Sequence, residues 1–292
     1  MASKLTFVPF FCVLFFLFSL SNANYDINTL KHLQGSHKGT NVQGIHYLKL
    51  YLARFGYLNY PHDSNDVNFE NNEFDQELES ALKSYQEFYH LNASGTLDNP
   101  TVSQMIMPRC GYPDKKISHV HGTKLLNIVS HYSFFTGNPR WGKSSLTYAF
   151  DSTYPPAYIP PVVRAFNTWA SATRYFTFTR VASVTSSDLK ISFERGDHGP
   201  GDVFQGSVLA HAFAPTDGRF HYNADMPWSV GPASDPNAFD LWSLALHEIG
   251  HLLGLGHSND QGASMKSGIF RGEIRGLNQD DIQGIRVLYG LN

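Results

Sequence analysis

Two periodicities divide the chain. Up to about residue 130 the apolar positions recur every three or four residues. Ile45, Leu48, Leu52 and Phe55 form one set, and Phe74, Leu78, Leu82, Tyr85 and Phe88 a second, the spacing of helices that bury one face. The polar stretch from Pro61 to Asn72 between them reads as loop. A third short helix is expected to open with Asn99 as N-cap and Pro100 in the first helical position. From Trp141 onward alternation takes over: Ser145 to Phe150, Phe176 to Val181 and Asp188 to Phe193 read as strands. Pro160 to Ala172 reads as an amphipathic helix with Val163, Phe166 and Trp169 on one face. Asp240 can cap a further helix, and Asn278 with Asp281 can start a last one running through Tyr289. The pattern predicts a small helical unit followed by an α+β domain.

Composition narrows the class. Of 292 residues only 16% are charged and 14% are aromatic, which suits a folded protein. The net charge of −3 and the lack of a Lys/Arg cluster give no case for nucleic acid. Residues 1–23 have the form of a signal peptide: Lys4, an apolar run from Phe7 to Leu20, then small residues at Ser21 and Ala23. No later stretch is long enough for a transmembrane segment, and the chain ends without a hydrophobic tail. A secreted, extracellular protein is expected, of the apoplast or cell wall if the source is a plant. Asn92-Ala93-Ser94 is a glycosylation sequon. Nothing marks an interface, so a monomer is the default.

The chemistry concentrates in residues 247–257, where His247, Glu248, His251, Gly254 and His257 stand in order. On a helix His247 and His251 share one face, and Gly254 lets the chain turn so that His257 reaches the same point. Three imidazoles holding one Zn²⁺ leave a fourth position open. Glu248, beside the first ligand, is placed to take a proton from an attacking water. A buried amphipathic helix that merely happens to carry histidines explains this spacing poorly.

Of 14 histidines, eight precede residue 140 without ligand spacing. His198, His211 and His221 sit in and after a glycine-rich stretch, where they are either a second zinc site or surface histidines. Once the signal peptide is gone, Cys110 is the one remaining cysteine and has no disulfide partner. No Cys–His signature makes it a nucleophile. It is either an inert thiol or a thiolate that occupies the open zinc position and displaces the water.

The chain resembles the matrix metalloproteinases, matrixins within the metzincins, and most of all the short plant-type members without a hemopexin domain. The similarity runs from about Leu48 to Gly290 and rests chiefly on Pro108-Arg109-Cys110-Gly111-Tyr112-Pro113-Asp114 and the histidine motif with Met265 eight residues beyond it. Leu146-Thr147-Tyr148, Ala210 to Phe213 and Asp280 to Ile285 add to it. The resemblance implies a secreted zinc endopeptidase made as a zymogen, with Glu248 as general base and the prodomain as its own inhibitor. It implies residues 24–130 as helical prodomain and 131–292 as catalytic domain, the latter a twisted five-stranded mixed sheet with three helices. Prodomain processing is placed between Ile128 and Gly137. It further implies that Cys110 caps the catalytic zinc, that Arg109 and Asp114 brace the switch segment, and that the edge strand near Leu209 and Ala210 holds a peptide substrate. His198, His211 and His221 fall on the structural-zinc positions.

Departures accompany the likeness. Pro200 stands where the family has an aspartate ligand, leaving Asp202 or water to complete the second zinc site. Gln205, Asn223 and Met226 replace calcium carboxylates, which makes Ca²⁺ doubtful. Lys266-Ser267-Gly268 follows Met265, where an aromatic residue and a proline usually shape the pocket beyond the cut. These changes motivate an alternative: a metalloproteinase-like protein of weak or no turnover that binds peptide or a cell-surface polymer.

Overall fold

The computed structural model describes residues 28–60, 65–115, 131–199, 202–231 and 235–291. The expected signal peptide, residues 116–127 and the first part, 128–130, of the expected activation region lie outside the described residues.

The N-terminal part is helical: α1 (Asn28–His32), α2 (Ile45–Arg54), α3 (Asn65–Glu70), α4 (Gln76–Phe88) and α5 (Asn99–Met105). Its core is built from the predicted stripes, with Ile45, Leu48, Leu52, Phe74, Leu78, Leu82 and Tyr85 all buried. Two expectations change here. The stretch from Pro61 to Asn72 contains α3, although its polar composition reads as loop. Tertiary contacts hold it, since the buried Lys49 Nζ donates to Asn68 O at 2.7 Å and to Asn71 Oδ1 at 2.8 Å. The N-cap of α5 is Asp98 rather than Asn99: its extended backbone lets the carboxylate accept from Thr101 N at 3.0 Å, which moves Pro100 to the second helical position.

The C-terminal part follows after β1 (Arg109–Cys110). It comprises β2 (Ser145–Phe150), α6 (Ile159–Thr173), β3 (Thr177–Arg180), β4 (Leu189–Glu194), β5 (Val208–Ala212), β6 (Arg219–Asn223), β7 (Trp228–Ser229), β8 (Phe239–Asp240), α7 (Leu241–Leu252) and α8 (Gln279–Tyr289). The main sheet has the order β1-β5-β6-β4-β2-β3. Only β5 and β6 pair antiparallel; the other neighbours run parallel. Five of these strands and three helices make the α+β architecture expected. The sixth strand, β1, comes from the 108–114 segment and adds itself to the edge of β5.

Helices α6 and α7 cover the sheet. In α6 the deepest stripe is Val162, Phe166 and Trp169, with Val163 only partly buried. Phe166 and Trp169 thus lie on the buried face as predicted, and Val162 rather than Val163 completes it. Asp240 caps α7 by accepting from Ser243 N at 2.7 Å, and Asn278 and Asp281 form a reciprocal capping box on α8. The two parts share core: Phe204 and Val208 of the C-terminal part pack into the N-terminal cluster.

Candidate metal centre

The helical spacing on α7 puts the His247 and His251 rings 4.7 Å apart, and both side chains are buried. At Gly254 the backbone takes φ +105°, and a Cβ there would lie 2.7 Å from Pro139 O and from Leu288 Cδ2. Only glycine fits that turn. It returns His257 to within 5.2 Å of the His247 ring and 5.0 Å of the His251 ring.

Each imidazole is held from behind. His247 Nδ1 donates to Ser264 O at 2.7 Å, His251 Nδ1 to Leu255 O at 2.7 Å, and His257 Nδ1 to Asp114 Oδ1 at 2.8 Å. With the proton committed to Nδ1, each Nε2 keeps a lone pair. Burial lowers all three histidine pKa values, so the rings are neutral. The Nε2 atoms of His247 and His257 are buried without any hydrogen-bond partner among the described residues. Cys110 Sγ lies 3.4 Å from His251 Nε2, and one ligand atom from each of Cys110, His247, His251 and His257 falls within 4.8 Å of all the others. A soft thiolate and three neutral imidazoles around one point are the donor set of Zn²⁺. The orphaned nitrogens fit that ion.

Both carboxylate oxygens of Glu248 are buried without a hydrogen bond of normal geometry among the described residues, and burial, opposed by the neighbouring Cys110 thiol, pushes its carboxyl up to about 8. Burial and then the Glu248 charge push the Cys110 thiol well up as well. A divalent cation at this point favours both ionised forms and reverses these shifts. Under the centre lies Met265, fully buried, with its amide and that of Ser264 donating to Asp281 at 3.0 and 2.8 Å. A Cβ on Gly250 would come 2.2 Å from Met265 Sδ, so Met265 packs directly against the ligand helix.

The 108–114 segment enters as an added strand. Arg109 N donates to Ser207 O at 3.1 Å and Gly111 N to Ala210 O at 2.8 Å on β5. On its other side Cys110 N donates to Ser267 O at 2.8 Å, while Pro108 O accepts from Ile269 N at 3.1 Å. Of the main chain expected to hold peptide, Ala210 is thus engaged by the chain's own segment, with Leu209 lying between the paired Val208 and Ala210. Asp114 anchors it. Its Oδ1 accepts from Arg109 Nη2 at 2.6 Å and from His257, and its Oδ2 accepts from Arg109 Nη1 at 3.1 Å, Tyr57 at 2.8 Å and Tyr89 at 2.9 Å. Burial alone would raise its pKa, but Arg109 and His257 hold the carboxyl well below the usual carboxylate range.

Two members of this junction, Tyr57 and Tyr89, escaped sequence reasoning, and nothing in the chain near them points to Asp114. Tyr89 also bonds Ser267 Oγ at 2.8 Å across the two parts. The bond from Asp114 to His257 spans 143 positions. No local signal could have found it.

The other histidines also converge. His198 Nε2 lies 3.2 Å from His211 Nε2, which lies 3.3 Å from His221 Nδ1. Burial and the His221 charge push His211 down to about 2, so it is neutral. The three ligand atoms are grouped tightly enough for a second metal ion. Asp202 is buried, with Oδ1 3.9 Å from His211 Nε2 and Oδ2 bound by Arg219 at 2.6 Å. Among the positions discussed for calcium, Gln205 accepts from Arg54 at 2.9 Å and Asn223 Nδ2 donates to Val208 O at 2.8 Å. Met226 packs on the core. Asn92 is exposed in the turn after α4.

The family model described as matrixin matches residues 140–290, and a model of a peptidoglycan binding domain matches residues 41–105. The chain is 42% identical over 272 residues to Metalloendoproteinase 1 of Glycine max, an alignment covering 88% of this chain and 85% of that protein. It is 39% identical over 280 residues to Metalloendoproteinase 5-MMP of Arabidopsis thaliana, covering 90% and 76%. With the Interstitial collagenase of Oryctolagus cuniculus it shares 38% identity over 219 residues, covering 72% of this chain and 42% of the collagenase.

Proposed function

Because the chain belongs to the matrixin family of metalloendopeptidases, we propose that it is a secreted zymogen whose residues 24–130 hold residues 131–292 latent through Cys110. The observation that carries this reading is the meeting of Cys110 Sγ with three imidazoles, each fixed through its Nδ1. His247, His251 and His257 hold the catalytic Zn²⁺, and His198, His211 and His221, with Asp202 nearby, hold a structural one. A bound Zn²⁺ supplies Lewis-acid chemistry, acidifying a water and polarising the scissile carbonyl.

The residues of the chain do the rest. Release of β1 frees the main chain at Leu209 and Ala210, where an extended substrate takes its place and is held in register. Glu248 accepts the proton of the attacking water and returns it to the leaving amine. Its burial on α7 keeps bulk water from competing for that proton. Asp114 leaves with the prodomain, so activation exchanges its bond to His257 for solvent as well as removing the thiol. Peptide bonds of extracellular proteins are the substrate class, given the signal-type leader and the exposed sequon at Asn92.

The test uses the full-length, zinc-loaded chain. Capping Cys110 with a thiol reagent should switch on cleavage of a quenched peptide library. Glu248→Ala should keep its zinc and lose on the order of a thousandfold in turnover. Cleavage by that variant at a rate comparable to wild type would refute the role of Glu248. Stoichiometric zinc without any cleavage by wild type would favour a peptide-binding protein instead.

A further inference from the structure

Phe204 belongs to two places at once. It lies in the C-terminal part, yet with Val208 it packs into the buried core of the N-terminal helices and is only 8% exposed. The same ring also meets two imidazoles of the second trio. Its centroid is 4.7 Å from that of His211, stacked at 24°, and 4.7 Å from that of His198, tilted at 34°.

The chain around Phe204 is gripped from the N-terminal part. Arg54, at the end of α2, donates through Nη2 to Val203 O and through Nη1 to Gln205 Oε1, each at 2.9 Å. Ser207 Oγ donates to Met107 O at 3.1 Å. A Cβ on Gly111 would lie 2.9 Å from Val208 Cγ1 and 3.5 Å from His211 Cβ, so the latch segment packs against the strand that carries His211. The loop before that strand is tied to itself: Phe204 N donates to Gly196 O and His198 N to Asp202 O, both at 3.0 Å. A displacement of His198 is therefore passed to Phe204.

A cation suits the trio better than hydrogen bonds do. His198 Nδ1 donates to Gly196 O at 2.9 Å, which leaves its Nε2 an acceptor. His211 Nε2 faces both that nitrogen, at 3.2 Å, and His221 Nδ1, at 3.3 Å. A single proton on His211 Nε2 serves one of these contacts and leaves the other unmade. Without an ion the nitrogens separate, and two of the three rings that move are the ones Phe204 rests on.

We propose that Phe204 couples the second metal site to the latch: an ion held by His198, His211 and His221 favours docking of the N-terminal part, and docking in turn favours retention of the ion. This rests on the structural-metal reading above. Phe204 is a positioning residue, acting through the imidazoles it packs against.

The experiment follows labelling of Cys110 by a thiol reagent in the full-length, zinc-loaded chain, with zinc per chain measured alongside. Mild chelation that removes one of two zincs should speed labelling by on the order of tenfold, a rise that still leaves Cys110 capped in most molecules. His211→Ala lacks that zinc from the start, so it should label at the faster rate and gain nothing from the same chelation; this separates the effect from loss of the catalytic zinc. Phe204→Ala should label fast before chelation and show no further gain. Phe204→Leu refills the helical core without an aromatic face for the imidazoles, and should stay within a few degrees of the wild-type melting midpoint while losing the gain. Wild-type labelling that ignores loss of the second zinc, or a full gain retained in both Phe204 variants, would overturn the coupling. A wild-type count of one zinc would reject the second-site reading itself, and the coupling with it.

Discussion

Tyr89→Phe isolates one bond in the latch. The ring stays, so its packing against Tyr85 and Phe88, at 4.6 and 5.0 Å between centroids, is retained. Lost is the hydroxyl that meets Arg109 at 3.0 Å, Asp114 at 2.9 Å and Ser267 at 2.8 Å. The first two partners belong to the same part of the chain as Tyr89 and travel with it when the latch opens. Ser267 does not, so that bond breaks only on opening. Removing it strands a buried serine hydroxyl, and a net loss of about 2 kcal/mol in the closed state follows. That is roughly a 30-fold rise in the open fraction. The rate at which a thiol reagent labels Cys110 in the zinc-loaded full-length chain reads that fraction when closing outpaces labelling. Tyr89→Phe should label faster by that factor, with its unfolding midpoint lowered by only a few degrees so that the chain is still folded under the labelling conditions. Ser267→Ala should label faster too, and the double variant no faster than the singles, because both remove one shared bond. Labelling of Tyr89→Phe at the wild-type rate would refute the reasoning.

Further outcomes follow from the same geometry. Asp114→Asn leaves the buried Arg109 cation without its carboxylate, at a cost of about 3–5 kcal/mol to the closed form, so this chain should be active without thiol capping. Gly254→Ala forces a Cβ into a φ of +105° and against Pro139 O; it should lower stability by about 2–4 kcal/mol and reduce catalytic zinc, read by thermal melts and metal analysis. The wild-type chain should bind two zincs and His211→Ala one, with Cys110 still protected in both; an unchanged metal count in His211→Ala would reject the second site. Asp188 accepts from Thr147 N at 2.7 Å and pairs with Lys143 at 2.7 Å. Against burial, which raises its pKa, these partners hold the carboxyl below its ordinary value. A depressed folded pKa means the stabilisation is present above the unfolded value of about 3.9 and is lost as pH falls through the folded one. The melting difference between wild type and Asp188→Asn should therefore be full near neutrality and shrink in acid.

Much of this protein was written locally. Periodicity placed α2, α4, α6 and the first three catalytic strands, because each buries one face and so repeats its apolar residues at the period of its backbone. The ligand set on α7 was legible for the same reason: four residues make one helical turn, and Gly254 announces the turn that brings His257 back. Cys110, the one cysteine left once the expected signal peptide is removed, offered either an inert thiol or a zinc-capping thiolate, and the resemblance favoured the second. What lay beyond reach were bonds between positions far apart. That Asp114 would hold His257, that Tyr89 would bridge Asp114 to Ser267, and that the 108–110 segment would become a strand on β5 depend on docking of one part on the other, for which the chain carries no periodic mark. The polar helix α3 was hidden likewise, its stability coming from the buried Lys49 rather than from its own residues. Sequence thus determined which atoms could bind a metal, since ligand chemistry and helical spacing are local. Only the tertiary structure decided which second partners fix those atoms, because hydrogen bonds and burial are properties of neighbours in space.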